Sequence, residues 1–201
     1  MLNLIHSVLH ATAIKRDGVS DQIAEISGLE KAILSRTLDE LVAGGRLIKT
    51  GETYLLTPAG RMILDTEYSR FYADLRADND FINAYKKFEA INKDLKELIT
   101  QWQTMTVGGK TIPNDHTDDS YDNKIIDRLG NLHELFEPIL KAMTSKLHRL
   151  SYYLEKLTNA LEKSEDGDIR WVSDVRIDSY HTVWFELHEE LLRVLGFKRE
   201  E

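Results

Sequence analysis

Five residues with ionisable or amide side chains fall on apolar faces of predicted helices: Asn92, Asp122, His133, His181 and His188. A buried carboxylate or imidazole that lacks a partner is strongly destabilising. Such groups therefore pair with one another, bind water or line a cavity. A cavity would predict a binding site for a small-molecule effector, whereas mutual pairing would predict closed hydrogen-bond networks.

A polar loop over residues 114–119 lies between two of these helices and can fold over such a cavity. Its residues Asn114, Asp115 and His116 complete the predicted ligand-binding set. Asp115 or Asp118 has a simpler alternative role, because a carboxylate is a good N-cap for the helix that follows.

A metal site is a weaker alternative for the same histidines. His181 and His188 are about 10.5 Å apart along a helix, whereas two histidines that chelate one ion from a helix are three or four residues apart. A metal site would have to combine several helices through residues such as His116, Asp122 and His133. We therefore predict no metal and no cofactor.

Motifs for catalysis are missing from the sequence, which contains no GxSxG, HExxH, GxGxxG or Walker loop. Residues 108–111, Gly-Gly-Lys-Thr, are a fragment of a phosphate-binding loop, but no strand is predicted before them. We predict no catalytic residue and expect that the protein is not an enzyme.

The first third of the chain predicts three helices, a hairpin and the start of a fourth helix. Ser20 is a suitable N-cap for the second helix, and Pro58 suits the first turn of the fourth. Six apolar residues of the third helix are expected to face inward: Ala32, Ile33, Leu34, Leu38, Leu41 and Val42. The predicted ranges are 3–14, 20–26 and 30–43 for the helices and 46–49 and 53–56 for the strands.

Two segments carry a resemblance to a known family. Residues 38–48, Leu-Asp-Glu-Leu-Val-Ala-Gly-Gly-Arg-Leu-Ile, join a helix to a strand, and residues 56–61, Leu-Thr-Pro-Ala-Gly-Arg, join a strand to a helix. Here the chain resembles the winged-helix domain of MarR- and PadR-like bacterial transcriptional regulators. The resemblance implies a DNA-binding winged helix-turn-helix, although winged helices also serve as protein-interaction modules.

In such a fold the third helix enters the major groove, and its outward side chains contact phosphates or base edges. Asp39 lies on this face and would repel phosphate unless it accepts a hydrogen bond from cytosine or pairs with Arg36. The alternative is a helix face with ordinary surface charges. The predicted residues that bind double-stranded DNA are Lys31, Ser35, Arg36, Arg46, Lys49 and Arg61.

The rest of the chain predicts four amphipathic helical segments, from apolar residues spaced three and four apart. A helical wheel of the last segment places Phe185 on its apolar side and Glu190 on its polar side, and Pro138 kinks or divides the second segment. A loop is predicted over 105–117. The four segments span residues 80–103, 120–143, 147–161 and 177–195.

Together these elements predict a mainly α fold with a small β wing. A winged helix-turn-helix over residues 1–66 is followed by a helical bundle over residues 67–201, which serves as a dimerisation and effector domain.

Composition agrees with a DNA-binding segment that is not itself acidic, although the net charge of the 201-residue chain is −8. Residues 1–66 carry seven Lys and Arg against eight Asp and Glu, whereas residues 67–201 carry 19 against 26. A near-neutral module can bind DNA when its cations share one face. The chain has no cysteine, no signal-peptide pattern and no apolar run near the ~20 residues that span a bilayer, so we expect a cytoplasmic protein without a membrane partner.

A second resemblance supports a rival interpretation. Residues 178–189, Asp-Ser-Tyr-His-Thr-Val-Trp-Phe-Glu-Leu-His-Glu, look like segments of bacterial proteins that accompany phosphoenolpyruvate-utilising enzymes. The leading hypothesis is a one-component, homodimeric regulator that binds an operator and senses a small molecule. The alternative is a non-catalytic accessory subunit whose winged helix docks on such an enzyme.

Overall fold

The computed structural model describes residues 4–198. The chain is mainly helical (72%) with a small three-stranded antiparallel sheet, which confirms the coarse fold prediction. The contacts divide it into two compact units, of which the first contains the residues up to Asp78 and those from His188 onwards, and the second contains residues 79–187. The first unit thus extends past the predicted boundary at residue 66. Residue 3 of the first predicted helix and the last three residues of the second predicted domain lie outside the described residues.

Ten α-helices and five strands are described between residues 4 and 198. In the first unit they are α1 (Leu4–Lys15), β1 (Gly18–Val19), α2 (Ser20–Ser27), α3 (Lys31–Ala43), β2 (Leu47–Thr50), β3 (Thr53–Leu56), α4 (Pro58–Phe71) and α5 (Ala73–Ala77). The elements that follow along the chain are α6 (Asn79–Gln103), β4 (Thr104–Val107), β5 (Lys110–Pro113), α7 (Asp119–Thr144), α8 (Ser151–Glu165), α9 (Arg170–Ser173) and α10 (Tyr180–Leu195).

The sheet of the first unit has the strand order β1–β3–β2, and both pairings are antiparallel. Tyr54 of β3 is opposite Gly18 on one side and Lys49 on the other. The sequence predicted only two strands, because the two residues of β1 are too few to show the alternation of a strand. The core beside the sheet contains Val8, Leu9, Ile23, Leu34, Leu38, Leu41, Leu47 and Leu64.

Two details of α2 and α3 differ from expectation. Ser20 is the first residue of α2 and not its cap, and the Gln22 side chain accepts a hydrogen bond from the Val19 N–H. Ala32 and Ile33 were expected to face inward but are exposed. The buried stripe of α3 contains Leu34, Thr37, Leu38 and Leu41. Ile33 precedes this stripe by one residue, and it lies off the buried face because each residue of an α-helix is rotated by about 100° from the one before it.

The turn that leads into α4 is held by Thr57, the N-cap of that helix, beside Pro58. The Thr57 hydroxyl accepts a hydrogen bond from Gly60 N (2.9 Å) and donates to the carbonyl oxygen of Gly45 (2.8 Å). The backbone passes so close here that a Cβ atom on Gly60 would overlap the carbonyl oxygen of Arg46. This contact fixes α4 against the turn after α3.

In the second unit, the apolar stripes of α6, α7 and α8 form the core, as the periodicity predicted. Phe88 and Phe136 pack beside Trp184 at ring-centroid distances of 5.1 and 4.4 Å, and Tyr180 stacks on Trp184 at 6.0 Å. The helix α7 continues through Pro138 without ending there. The sequence missed α9 and placed the start of α10 three residues too early.

The segment predicted as a loop over 105–117 contains a β-hairpin, formed by β4 and β5. Gly108 and Gly109 both have positive φ angles, 59° and 78°, as a type I′ hairpin turn requires. A strand therefore does precede the Gly-Gly-Lys-Thr fragment, contrary to the sequence interpretation. It is followed by a second strand, whereas a phosphate-binding loop leads into a helix.

Within residues 4–198, no helix combines the length and the apolar character needed to cross a membrane.

We predict that Gly60→Ala destabilises the first unit by about 3 kcal/mol, because the added methyl overlaps backbone atoms that cannot move aside cheaply. The matched control is Gly130→Ala, also within a helix, where the new Cβ would meet only the end of the flexible Glu165 side chain. That variant should be as stable as the wild type or more so, by up to about 1 kcal/mol. Thermal unfolding followed by circular dichroism measures both, and equal melting temperatures would contradict the role of Gly60.

Candidate nucleic-acid interface and buried polar clusters

The outward face of α3 carries the predicted DNA contacts Lys31, Ser35 and Arg36, all exposed. Lys31 Nζ lies 2.8 Å from Asp21 Oδ1, and this hydrogen bond raises the pKa of Lys31. Because both side chains are solvent-exposed, the pair is worth little and either residue can exchange it for another partner. Arg36 forms no ion pair within residues 4–198, so it is the cation of this face most available for a ligand.

The remaining predicted contacts lie on the β2–β3 hairpin and α4. Lys49 and Arg61 are exposed, and Arg46 is half-buried. Lys49 Nζ lies 5.3 Å from the centre of the Tyr54 ring. This cation–π contact leaves the ammonium group at the surface of the hairpin.

Apolar side chains interrupt these polar faces. Ile33 on α3 is 43% exposed and Ile48 on β2 is 53% exposed. The surface is therefore mixed, with cations, a hydroxyl and isolated aliphatic groups, and it has no contiguous cationic stripe. It can contact a nucleic acid through a few side chains only.

A cluster missed by the sequence analysis lies in the first unit, between α1 and α4. His6 and His10 are both fully buried and their rings stack, with centroids 6.1 Å apart. His6 Nδ1 lies 3.2 Å from Glu67 Oε2, and His6 Nε2 lies 3.2 Å from the Tyr72 hydroxyl. His10 Nδ1 lies 2.6 Å from the Tyr68 hydroxyl. The available signal was that α1 is apolar on most sides, which implies a buried helix whose histidines need partners.

The last helix completes this cluster through Glu190. Its side chain is fully buried, and Glu190 Oε2 lies 3.1 Å from His10 Nε2. The sequence analysis placed Glu190 on the polar side of α10 and Phe185 on the apolar side, whereas Phe185 is 39% exposed. The wheel failed because it assumed a single buried face, although Phe185 and Glu190 belong to different units of the chain.

In the second unit, three of the predicted ligand-binding residues form one network beside Trp102. Asn114 Nδ2 donates to Asp122 Oδ1 (2.8 Å) and to the carbonyl oxygen of Trp102 (3.0 Å). His116 Nδ1 lies 2.8 Å from Asp122 Oδ2, and the imidazole packs on the Trp102 ring at 4.5 Å. The network ties the polar loop to the start of α7.

Asn92 belongs to a second network, which joins α6 to α10. Trp184 Nε1 donates to Asn92 Oδ1 (3.0 Å), and Asn92 Nδ2 donates to Glu89 Oε2 (3.1 Å). The Tyr85 hydroxyl donates to the other oxygen of the same Glu89 carboxylate. The amide of Asn92 thus has a partner for both its oxygen and its nitrogen.

His133 is linked to the same core through Tyr180. His133 Nδ1 lies 3.1 Å from the Tyr180 hydroxyl, and Nε2 lies 3.4 Å from the Thr158 hydroxyl. Burial lowers the pKa of His133 and raises the pKa of Tyr180. A neutral imidazole with one donor and one acceptor nitrogen fits this pair of hydroxyl groups.

The three other predicted ligand-binding residues differ from one another in burial. Asp115 is exposed and accepts hydrogen bonds from the backbone and side chain of Thr117, which lower its pKa. His181 is half-buried, and burial lowers its pKa. His188 is buried in the first unit. Asp118, not Asp115, caps α7 by accepting from Tyr121 N at 3.0 Å.

Asn92, Asn114, Asp122 and His133 thus each bond to other side chains of the protein. Within the described ranges, no three or more His, Cys, Asp and Glu side chains are grouped so that they could hold a metal ion. No protein-family model, curated protein or solved structure matches this chain. Residue geometry alone therefore bears on its function.

We predict that His133 makes the protein less stable as the pH falls. The folded-state pKa of His133 is lower than the ordinary value of 6.5, so the unfolded chain binds more protons between these two values and stability is lost as the pH drops below about 6.5. His133→Gln should retain partners for both hydroxyls and flatten the change in urea midpoint between about pH 7 and 5. His148→Gln, at an exposed position, is the control. An unaltered pH profile in the His133 variant would contradict the assignment.

We predict that Glu190→Ala destabilises the first unit by about 3 to 5 kcal/mol, because it removes one partner of a buried pair. Glu189→Ala is the matched control, since the neighbouring carboxylate is partly exposed and pairs with Arg193 one helical turn away. Its loss should cost less than about 1 kcal/mol. Urea unfolding measures both free energies, and similar costs for the two variants would argue against the buried pair.

Proposed function

We propose that this chain is a DNA-binding transcriptional regulator and that its first unit is a winged helix, as in MarR- and PadR-like proteins. The order α1–β1–α2–α3–β2–β3–α4, with β1 and β2 on either side of β3, supports this fold. The observation that carries the proposal is the exposed face of α3, where Lys31, Ser35 and Arg36 project from the helix that a winged helix presents to the major groove.

The number of cations limits the electrostatic part of the binding. Lys31 and Arg36 on α3, with Lys49, Arg46 and Arg61, allow at most a handful of phosphate contacts, so the salt dependence should be shallower than that of a strongly basic protein. The acidic excess lies in residues 67–201. Sequence preference then depends on base contacts by the few side chains of α3.

A homodimer would present two copies of α3 to DNA. Helix-turn-helix dimers bind half-sites about 34 Å apart, one turn of DNA, so a symmetric operator is expected. The DNA upstream of this gene is the first sequence to test.

We predict that the protein binds this DNA in preference to a scrambled duplex and that Arg36→Ala weakens the binding about 10-fold or more. If Arg36 contacts a phosphate, the slope of log K against log salt should also decrease by about 1. Fluorescence anisotropy at two salt concentrations measures both effects.

The control for this experiment is Lys87→Ala, which removes an exposed cation of the second unit and should leave affinity and slope unchanged. Unchanged binding by the Arg36 variant would reject α3 as the recognition helix. No preference of the wild type for its upstream DNA over the scrambled duplex would reject the regulator.

A second candidate function is favoured by the exposed Ile33 and Ile48, which suit a protein-docking surface better than a DNA backbone. In that case the chain is an accessory subunit of a phosphoenolpyruvate-utilising enzyme. The gene neighbourhood separates the two candidates, because a divergent promoter favours the regulator and a co-transcribed kinase-like gene favours the subunit.

A further inference from the structure

We propose that the outer face of α6 and α7 is a self-association surface, on which a second copy of this chain packs about a two-fold axis. The face is a shallow open groove between the two helices, lined by Ile91, Leu98, Leu132 and Leu135. Leu135 is 68% exposed, although it is a large aliphatic side chain at the centre of a long helix. On α6, Ile91 lines the same groove and is half-buried, whereas Leu98 and Leu132 line it with buried side chains.

Two opposite charges lie in the same groove, one on each wall. Asp94 belongs to α6 and Arg128 to α7. Over residues 4–198 neither takes part in an ion pair, and Arg128 donates a hydrogen bond to the neutral Gln101 side chain. The groove thus offers one unpaired anion and one unpaired cation beside apolar surface.

This charge pattern indicates which kind of partner can bind in the groove. A partner of a single charge sign, whether nucleic acid or a basic peptide, would pair one of these groups and bury the other without compensation, which is costly. A second copy related by a two-fold axis places Asp94 opposite the partner's Arg128 and Arg128 opposite the partner's Asp94. Such self-complementarity is the requirement of an isologous interface, and two antiparallel helix pairs packed in this way form a four-helix bundle.

The inference rests on the homodimer described under the proposed function, but it concerns the second unit, and its test needs no DNA. A dimer that does not bind DNA would uphold this surface and reject the regulator. A monomer that still prefers its upstream DNA would reject this surface and leave the regulator standing.

The first test is sedimentation velocity of the full chain over a range of concentrations. The wild type should dimerise, and Leu135→Glu should weaken the dimer at least about 100-fold, because two apolar side chains are lost per interface. Val175→Glu is the matched control, since Val175 is exposed and lies outside the groove. Unchanged circular dichroism would show that the Leu135 variant is folded, as its exposure in the wild type leads us to expect.

The second test uses charge reversal. If the substitutions only destabilised the surface, a mixture of two variants of opposite charge would not regain affinity. Asp94→Arg and Arg128→Asp should each weaken the homodimer by at least about 10-fold, because each places like charges opposite one another twice. An equimolar mixture of the two variants should form a heterodimer of near wild-type affinity, since both contacts again join opposite charges.

A monomeric wild type, or a Leu135→Glu variant that dimerises like the wild type, would overturn the proposal. Failure of the mixed variants to associate would do the same, because folded chains with complementary charges would then not meet at this face.

Discussion

The cost of burying polar groups is the constraint on which both units depend. In the first unit, His10 near the beginning of the chain pairs with Glu190 near its end. In the second unit, Asn92 accepts a hydrogen bond from Trp184. Neither member of these pairs can be solvated where it lies, so removing one member leaves a buried polar group of the other with one partner fewer. The helix α10 supplies one partner to each pair, and both cores therefore need it.

The parts of this structure that a single sequence predicts well are those governed by one helical period. The stripes of α6 and α7 are long, and Asn92, Asp122 and His133 are buried where the spacing placed them. The failures share a different cause. The burial of Glu190 was not predicted because α10 has buried faces in two units. The strand β1 was not predicted because two residues are too few to show a periodic pattern. Tertiary pairing decides both features, and periodicity contains no information about it.

The same distinction applies to the candidate sites. Five of the eight residues expected to line a pocket are buried, whereas Asp115 is exposed and His116 and His181 are half-buried, and burial alone does not say what satisfies a polar group. Asn114 and His116 meet Asp122, whereas His133 meets Tyr180 and Thr158, so the predicted set divides among separate partners. Inward position follows from spacing alone, but the partner of an inward group depends on loops and on helices far along the chain.

Charge places a further limit on how this chain approaches a polyanion. A net charge of −8 repels DNA at long range, but this repulsion is screened beyond about 8 Å at physiological ionic strength. In the proposed regulator, binding would therefore depend on the local charge of α3 and the hairpin, where Lys31, Arg36 and Lys49 balance Asp39, Glu40 and Glu52. An interface that pairs Asp94 with Arg128 adds no net charge to the assembly, because each anion is matched by a cation. In the proposed dimer, association would double the number of α3 helices, but it would also double the net charge of −8, so the approach to DNA would still depend on screening and on the local charge of α3.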